Sequence, residues 1–342
     1  MAKTYVADLQ RGEKLESTFA AKTKQLLPFR NKPGSYLTVV LGDKTGEVQA
    51  RAWDNAEALA ELFEPGQVVR VRGRVEEYQG ALQVIIERLK RCADDEVDPA
   101  EYVETTQGNV QEMLATVGDA IAHMQDPHLR ALLEAFFADP DFVRRFTEAP
   151  GAKALHHRYL GGLLEHVVSL LRIGAAVCDV HATLDRDLLV AGIILHDVGK
   201  LQELDYGVAI DYTDRGRLIG HVVLGDRMIQ DRIRGMPGFP AELAATLSHI
   251  VLSHHGSREW GAPIEPMMPE AIALHYIDNI DAKIWQFTDI ARQAASAGKT
   301  WSDWQRLLER YVYAGHLTVP PVGEAPAPAP EDASAEGARR DD

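Results

Sequence analysis

Leu188-Leu-Val-Ala-Gly-Ile-Ile-Leu195 carries eight residues without a polar side chain and then runs straight into His196-Asp197-Val198-Gly199-Lys200. A helix that is apolar all round belongs inside a domain. Its end therefore delivers an imidazole and a carboxylate to the interior. A buried carboxylate is costly unless it is paired or bound to a metal. Adjacent His and Asp side chains can clasp one ion, and the second carboxylate oxygen can reach another. Gly199 lets the helix end, and Lys200 is expected to contact a phosphate oxygen. Taken alone, the dipeptide reads equally well as a hydrogen-bonded pair at a helix end.

The residues on either side tip that balance. His166 sits on the apolar helix Gly162-Leu-Leu-Glu-His-Val-Val-Ser-Leu-Leu171, and Asp278 in Leu274-His-Tyr-Ile-Asp-Asn-Ile-Asp281. Gly220-His221 and Ser253-His254-His255-Gly256 lie between them. With His156, His157, His249 and His275, these imidazoles crowd into 120 residues, which suits a multi-metal site better than a core. His249 and His275 are expected to pack rather than ligate, and Asp281 to support a ligand. Apolar residues recur at helical spacing over 110–124, 128–138, 160–178, 188–195, 242–253 and 269–294, and 301–313 reads as a last helix.

Upstream the pattern changes. Ser35–Leu41 is β-branched and aromatic, and Gly42-Asp43-Lys44-Thr45-Gly46 is a turn. Residues 47–53 and 67–76 alternate, a short helix spans 55–63, and Tyr78-Gln79-Gly80 turns into 82–89. Short strands with a helix among them predict a five-stranded barrel of the oligonucleotide-binding (OB) type. The fold class is thus multidomain α+β: the barrel over 1–92, a linker and helical connector over 93–150, an all-α domain over 151–318, and a Pro/Ala/acidic tail over 319–342. That tail is too poor in apolar residues to bury a core and reads as disordered.

The net charge of −15 is unevenly spread, +3 over residues 1–92 and −18 over the rest. Divalent ions let an acidic domain handle phosphates, so charge does not exclude a nucleic-acid partner. Cys92 and Cys178 exclude a disulfide framework and a cysteine zinc site and fit a reducing cytoplasm. No apolar run reaches the roughly 18–20 residues of a membrane span.

The order His166, His196-Asp197, Asp278 resembles the HD-domain phosphohydrolase superfamily, in which these four positions hold one divalent ion. His221, His254 and His255 resemble the members with a second ion bridged by the Asp. The barrel followed by HHRYLGGLLEH, LHDVGKLQEL, LIGHVVLG, LSHHGSREWGAP and LHYIDNIDAK is similar to the YhaM-type 3′–5′ exoribonuclease family over about residues 5–315. That resemblance implies hydrolysis of single-stranded RNA to 5′-mononucleotides by metal-activated water, without a covalent enzyme intermediate. Two ions are expected per site: Mn²⁺ first, with Fe²⁺, Co²⁺ or Mg²⁺ as alternatives. Asp197 and Lys200 are the expected catalytic groups.

Substrate contacts are expected from His157, Arg158 and Lys283 in the helical domain. On the barrel, Tyr36, Arg51, Trp53, Arg72, Arg74 and Tyr78 supply the rings and cations that single strands favour. Single-stranded DNA as a second ligand and a homo-oligomer are compatible with the sequence. A rival reading makes the protein a phosphohydrolase of free nucleotides, with the barrel in assembly or regulation.

Overall fold

Five strands close into a barrel in the order β1-β2-β3-β5-β4: β1 (Lys14–Pro28), β2 (Ser35–Asp43), β3 (Gly46–Ala52), β4 (Val68–Tyr78) and β5 (Ala81–Arg91), with a short helix α1 (Ala56–Ala60) between β3 and β4. This computed structural model describes residues 3–29, 31–153 and 157–315. Neighbouring strands are antiparallel except β3 and β5, which run parallel. Alternate side chains point inward, so that Leu37, Val39 and Leu41 meet Val69, Val71 and Val84 in one core. The expected OB barrel is therefore present.

The first strand is the one that pattern-reading does not find. Phe19, Ala20 and Ala21 are buried in succession, which erases a period of two. The burial follows from the strand's double duty: its first half pairs with β4, its second with β2, and the register slips between Ala21 and Thr23. A second irregularity falls at Gly73, where a Cβ would lie 2.0 Å from the Ile85 carbonyl oxygen. Only glycine fits so close a strand crossing.

The acidic connector is pinned to the barrel. Tyr102 is buried against Ala20, Val68 and Cys92 and donates to Thr18 Oγ1 at 2.8 Å. Glu101 takes Lys44 at 2.9 Å and is hydrogen-bonded by Tyr5.

Helices then follow one another: α2 (Val110–Ala122), α3 (Pro127–Phe137), α4 (Pro140–Glu148), α5 (Gly162–Val180), α6 (Arg186–Leu195) and α7 (Lys200–Glu203). After a two-residue hairpin, β6 (Leu204–Asp205) and β7 (Asp211–Tyr212), come α8 (Asp214–Ile219), α9 (His221–Arg234), α10 (Ala241–Ser253) and α11 (Pro269–Ser296). Asn109, Asp126, Asp139 and Asp185 cap α2, α3, α4 and α6 with their side chains. Helix α6 is buried almost throughout, as its composition requires. Its Gly192 lets Ile250 of α10 approach, for a Cβ there would lie 2.6 Å from that side chain. No described helix is long and apolar enough to cross a membrane.

The chain divides into two compact units, Met1–Lys283 and Ile284–Asp342. In the second, the expected helix over 301–313 does not form. Trp301 bridges to Tyr313 and Gln305 to Arg310, with the ring centroids of Trp301 and Tyr313 5.0 Å apart. Glu309 at φ +51° makes the reversal, and Leu308, Val312 and Ala314 close on Ala291 and Ala294. The expected disordered tail from 319 and His156 both lie outside the described residues.

Candidate metal centre

Six elements bring their polar residues to one point. His196 is the residue that ends α6, and Asp197 follows it in the turn to α7. His254 likewise ends α10, His221 begins α9, His166 lies on α5, and Asp278 and Asp281 lie on α11. Two of the imidazoles thus sit at helix C-termini, where the backbone dipole favours a cation.

Asp197 stands in the middle. Its Oδ2 is 3.2 Å from His196 Nε2, and its Oδ1 is 3.4 Å from His221 Nε2 and 3.8 Å from His254 Nε2. On the His196 side, His166 Nε2 lies 3.2 Å from Asp278 Oδ1. On the other side, His221 Nε2 and His255 Nε2 are 3.2 Å apart. Donor atoms of His166, His196 and Asp197 fall within 4.8 Å of one another, as do those of His221, His254 and His255. The carboxylate therefore joins two clusters.

Four of the five rings present the same nitrogen because the other one is occupied; His255 is the exception, its Nδ1 buried without a partner among the described residues. His196 Nδ1 donates to the Ile193 carbonyl at 2.8 Å, and His254 Nδ1 to Val251 at 2.7 Å. His166 Nδ1 meets Asp281 Oδ2 at 2.7 Å, and His221 Nδ1 meets Glu203 Oε1 at 3.0 Å. Carbonyl and carboxylate oxygens only accept, so Nδ1 carries a proton in each of these rings, and in the neutral ring it is the Nε2 lone pair that faces inward. His196 Nε2, His254 Nε2 and Asp197 Oδ1 are buried and have no hydrogen-bond partner among the described residues. An unmatched buried acceptor costs about 1–3 kcal/mol, and three converging ones fit a cation. The donor set, imidazole nitrogen with carboxylate oxygen, suits divalent transition ions.

The electrostatics agree. Burial alone would raise Asp197, but Lys200 and His196 outweigh it and hold the carboxyl well below its usual range. Asp278 and Asp281 are likewise depressed, burial being overcome for Asp278 by His166 and for Asp281 by His157 and His166. Burial lowers His166, yet Asp278 and Asp281 carry it up to about 9. Burial and His221 push His255 down to about 4, and burial with His255 keeps His254 neutral.

Several expectations shift. Lys200, expected at a phosphate, is buried, with its ammonium on Asp197 Oδ2 at 2.5 Å and on the Gly151 carbonyl. Gly199 does not end a helix through unusual backbone freedom, since its φ is −62°. It is small because α9 crosses there: a Cβ would lie 1.9 Å from the His221 carbonyl oxygen. Lys283 is exposed on α11. His157 faces the cluster, with Nε2 2.9 Å from Asp281 Oδ2. His249 accepts from the Met267 amide and His275 donates to the His254 carbonyl, both supporting roles as expected. Glu203 was not expected; its only sequence signal is a carboxylate inside the otherwise buried run after Lys200.

On the barrel, Tyr36 and Trp53 lie 5.0 Å apart by ring centroid, and Arg51 reaches over Trp53 and Tyr78 at 5.7 and 5.3 Å. Phe29, not singled out in the sequence, completes the cluster 5.5 Å from Tyr36, with Lys32 over its ring. Arg72 and Arg74 are not part of it. They point outward on β4, between β1 and β5, and Arg74 is paired with Glu76 at 2.7 Å. Between barrel and helices lies a groove of about 600 Å³ whose lining includes Lys22, Glu47, Tyr102, Lys153 and Arg158.

Residues 21–91 match the family model of the OB-fold nucleic acid binding domain, and residues 163–283 that of the HD domain. An HD domain implies a divalent metal. The chain is 37% identical over 276 residues to the 3′–5′ exoribonuclease YhaM of Shouchella clausii, covering 80% of this chain and 85% of that one. To the proteins of the same name from a Geobacillus strain and from Bacillus subtilis it is 36% identical over 250 residues, covering 73% of this chain and 76% and 79% of theirs.

Proposed function

The chain belongs to the YhaM family of 3′–5′ exoribonucleases, and we propose that its buried histidine–aspartate cluster is where the RNA phosphodiester is hydrolysed. Its substrate is single-stranded RNA, which the OB domain is built to bind. One observation carries the assignment of the site: both oxygens of Asp197 face inward-turned imidazole nitrogens, on two sides.

In this reading His166, His196, Asp197 and Asp278 hold one divalent ion, and Asp197, His221, His254 and His255 a second. Such ions neutralise charge on a phosphodiester and lower the pKa of an attacking water. Mn²⁺ is the favoured ion, then Fe²⁺ or Co²⁺, with Mg²⁺ last because the set is rich in nitrogen. Lys200 keeps Asp197 ionised. Asp281 and Glu203 fix the rings of His166 and His221, so that no ligand has to turn during the reaction. Phe29, Tyr36, Trp53 and Tyr78 stack on bases while Arg51 and Lys32 follow the backbone. Arg158, in the groove beside the barrel, guides the strand towards the centre.

A cytoplasmic location, tolerance of single-stranded DNA and assembly of copies into a homo-oligomer complete the proposal. The exposed row Ile272, Tyr276 and Ile280 at i, i+4 spacing on α11 supports the last. Digestion of a 5′-labelled single-stranded RNA with added Mn²⁺ tests the assignment. Wild-type protein should shorten the RNA stepwise, and folded Asp197→Ala protein should not. Equal activity in both removes the proposed centre.

A further inference from the structure

His166 is turned by a chain of hydrogen bonds that reaches beyond Asp281. Asp281 Oδ2 accepts from His166 Nδ1 at 2.7 Å and also from His157 Nε2 at 2.9 Å. His157 Nδ1 in turn meets the Tyr159 hydroxyl at 2.9 Å. Each link has one proton to give: Tyr159 donates to His157, and His157 and His166 both donate to the same carboxylate oxygen.

The backbone at His157 is held against its preference. Its φ is +47°, a region uncommon for any residue with a side chain, although histidine enters it more readily than most. Its surroundings are specific. The His157 carbonyl accepts from the Gly151 amide at 2.8 Å, and a Cβ on Gly151 would lie 2.7 Å from the His157 Cβ. Gly162 is equally constrained, since its Cβ would fall 2.1 Å from the His157 carbonyl oxygen. Gly151 also offers its own carbonyl to Lys200, the partner of Asp197. Gly151 and His157 therefore reach the centre from two sides, Gly151 through Lys200 at Asp197 and His157 directly at Asp281. Arg158, the next residue, lines the groove beside the barrel.

We propose that His157 is a positioning residue for RNA hydrolysis: by hydrogen-bonding Asp281, with Tyr159 fixing its own ring, it locks His166 in the orientation that binds the ion. The inference rests on His166 being a ligand, as proposed above. Partners one bond removed from a metal ligand typically govern affinity or activity by about 10- to 100-fold.

Two substitutions separate positioning from mere support. His157→Asn relieves the backbone, because Asn tolerates positive φ, but its shorter side chain cannot reach Asp281. His157→Gln keeps an amide nitrogen as many bonds from Cα as Nε2 is, and at a backbone no easier than histidine's. The full chain is titrated with Mn²⁺ while free Mn²⁺ is followed by electron paramagnetic resonance, and kcat and KM are measured on single-stranded RNA. For Asn we expect about 10- to 100-fold weaker Mn²⁺ binding and lower kcat, with KM and thermal midpoint in the wild-type range. Gln should recover most of the loss. Wild-type values for Asn overturn the proposal, as does activity lost only in proportion to thermal midpoint in both variants. Loss of one equivalent of bound Mn²⁺ in the Gln variant also overturns it, making His157 a ligand instead. His166→Ala, run alongside, distinguishes the underlying assignment: undiminished Mn²⁺ affinity there sinks the His166 ligand and not the role of His157 alone.

Discussion

Replacing Lys200 with Met should destabilise the ion-free protein far more than the ion-loaded one. Lys200 is 7% exposed and its ammonium lies 2.5 Å from Asp197 Oδ2, so the substitution leaves a buried carboxylate with its principal counter-charge gone. Breaking a buried pair from one side costs about 3–5 kcal/mol. For a domain of this size that is roughly 6–20 °C in thermal midpoint. With divalent ions present the carboxylate is neutralised again. What remains is the Gly151 carbonyl that Lys200 no longer reaches, worth about 1–3 kcal/mol. The deficit should therefore shrink by about 2 kcal/mol, the difference between the midpoints of the two ranges. Because the coupling is reciprocal, the variant should bind Mn²⁺ about 30-fold more tightly than wild type. Calorimetric melts with chelator and with saturating Mn²⁺, beside a Mn²⁺ titration, measure both sides of the cycle. An equal deficit in the two conditions would falsify the assignment of Lys200 to Asp197. Weaker RNA binding with no thermal change would restore it to a substrate phosphate.

Other consequences can be checked as directly. His166, raised from 6.5 to about 9 without an ion, is protonated at pH 7–8, so Mn²⁺ binding should release close to one proton there. Its affinity should climb with pH until about 9; calorimetry in buffers of different ionisation enthalpy that finds no proton release refutes this. The same raised pKa means that charged His166 stabilises the chelated protein fully below pH 6.5 and that this contribution is lost as pH rises through 9. Trp53→Ala should weaken binding of long single-stranded RNA by about 1–3 kcal/mol, the worth of one stacked base, while cleavage of di- and trinucleotides is kept. Anisotropy titrations showing no change would remove the aromatic cluster from the binding face. Gly199→Ala forces a Cβ against the His221 carbonyl, so Mn²⁺ affinity should fall even where the circular dichroism of the helices is retained. Unchanged affinity would mean that α9 can move away without disturbing His221.

Much of this was legible because burial and polarity conflict in the sequence itself. His166 and Asp278 interrupt apolar patterns, His196 and Asp197 end one, and the structure brings all four together. The groups that orient them left fainter marks. Glu203 and Asp281 act on rings that are distant in the chain, and no periodicity encodes such a pairing. Lys200 was visible but its direction was not, since a lysine after a helix end reads the same whether it faces solvent or a buried carboxylate. The first barrel strand escaped because one segment serves two neighbours. The hairpin over 301–313 escaped because its aromatic spacing also fits a helix, and only the Trp301–Tyr313 contact decides between them.

The rings of His196 and His254 are set by carbonyls three residues earlier in their own helices, whereas those of His166 and His221 depend on side chains from elsewhere in the chain. Two of the five histidines are thus ready as soon as local helices form, and two others wait for α11 and α7 to dock. A folding chain should capture its ions late, and ion uptake would then serve as a stopwatch for the final step of assembly.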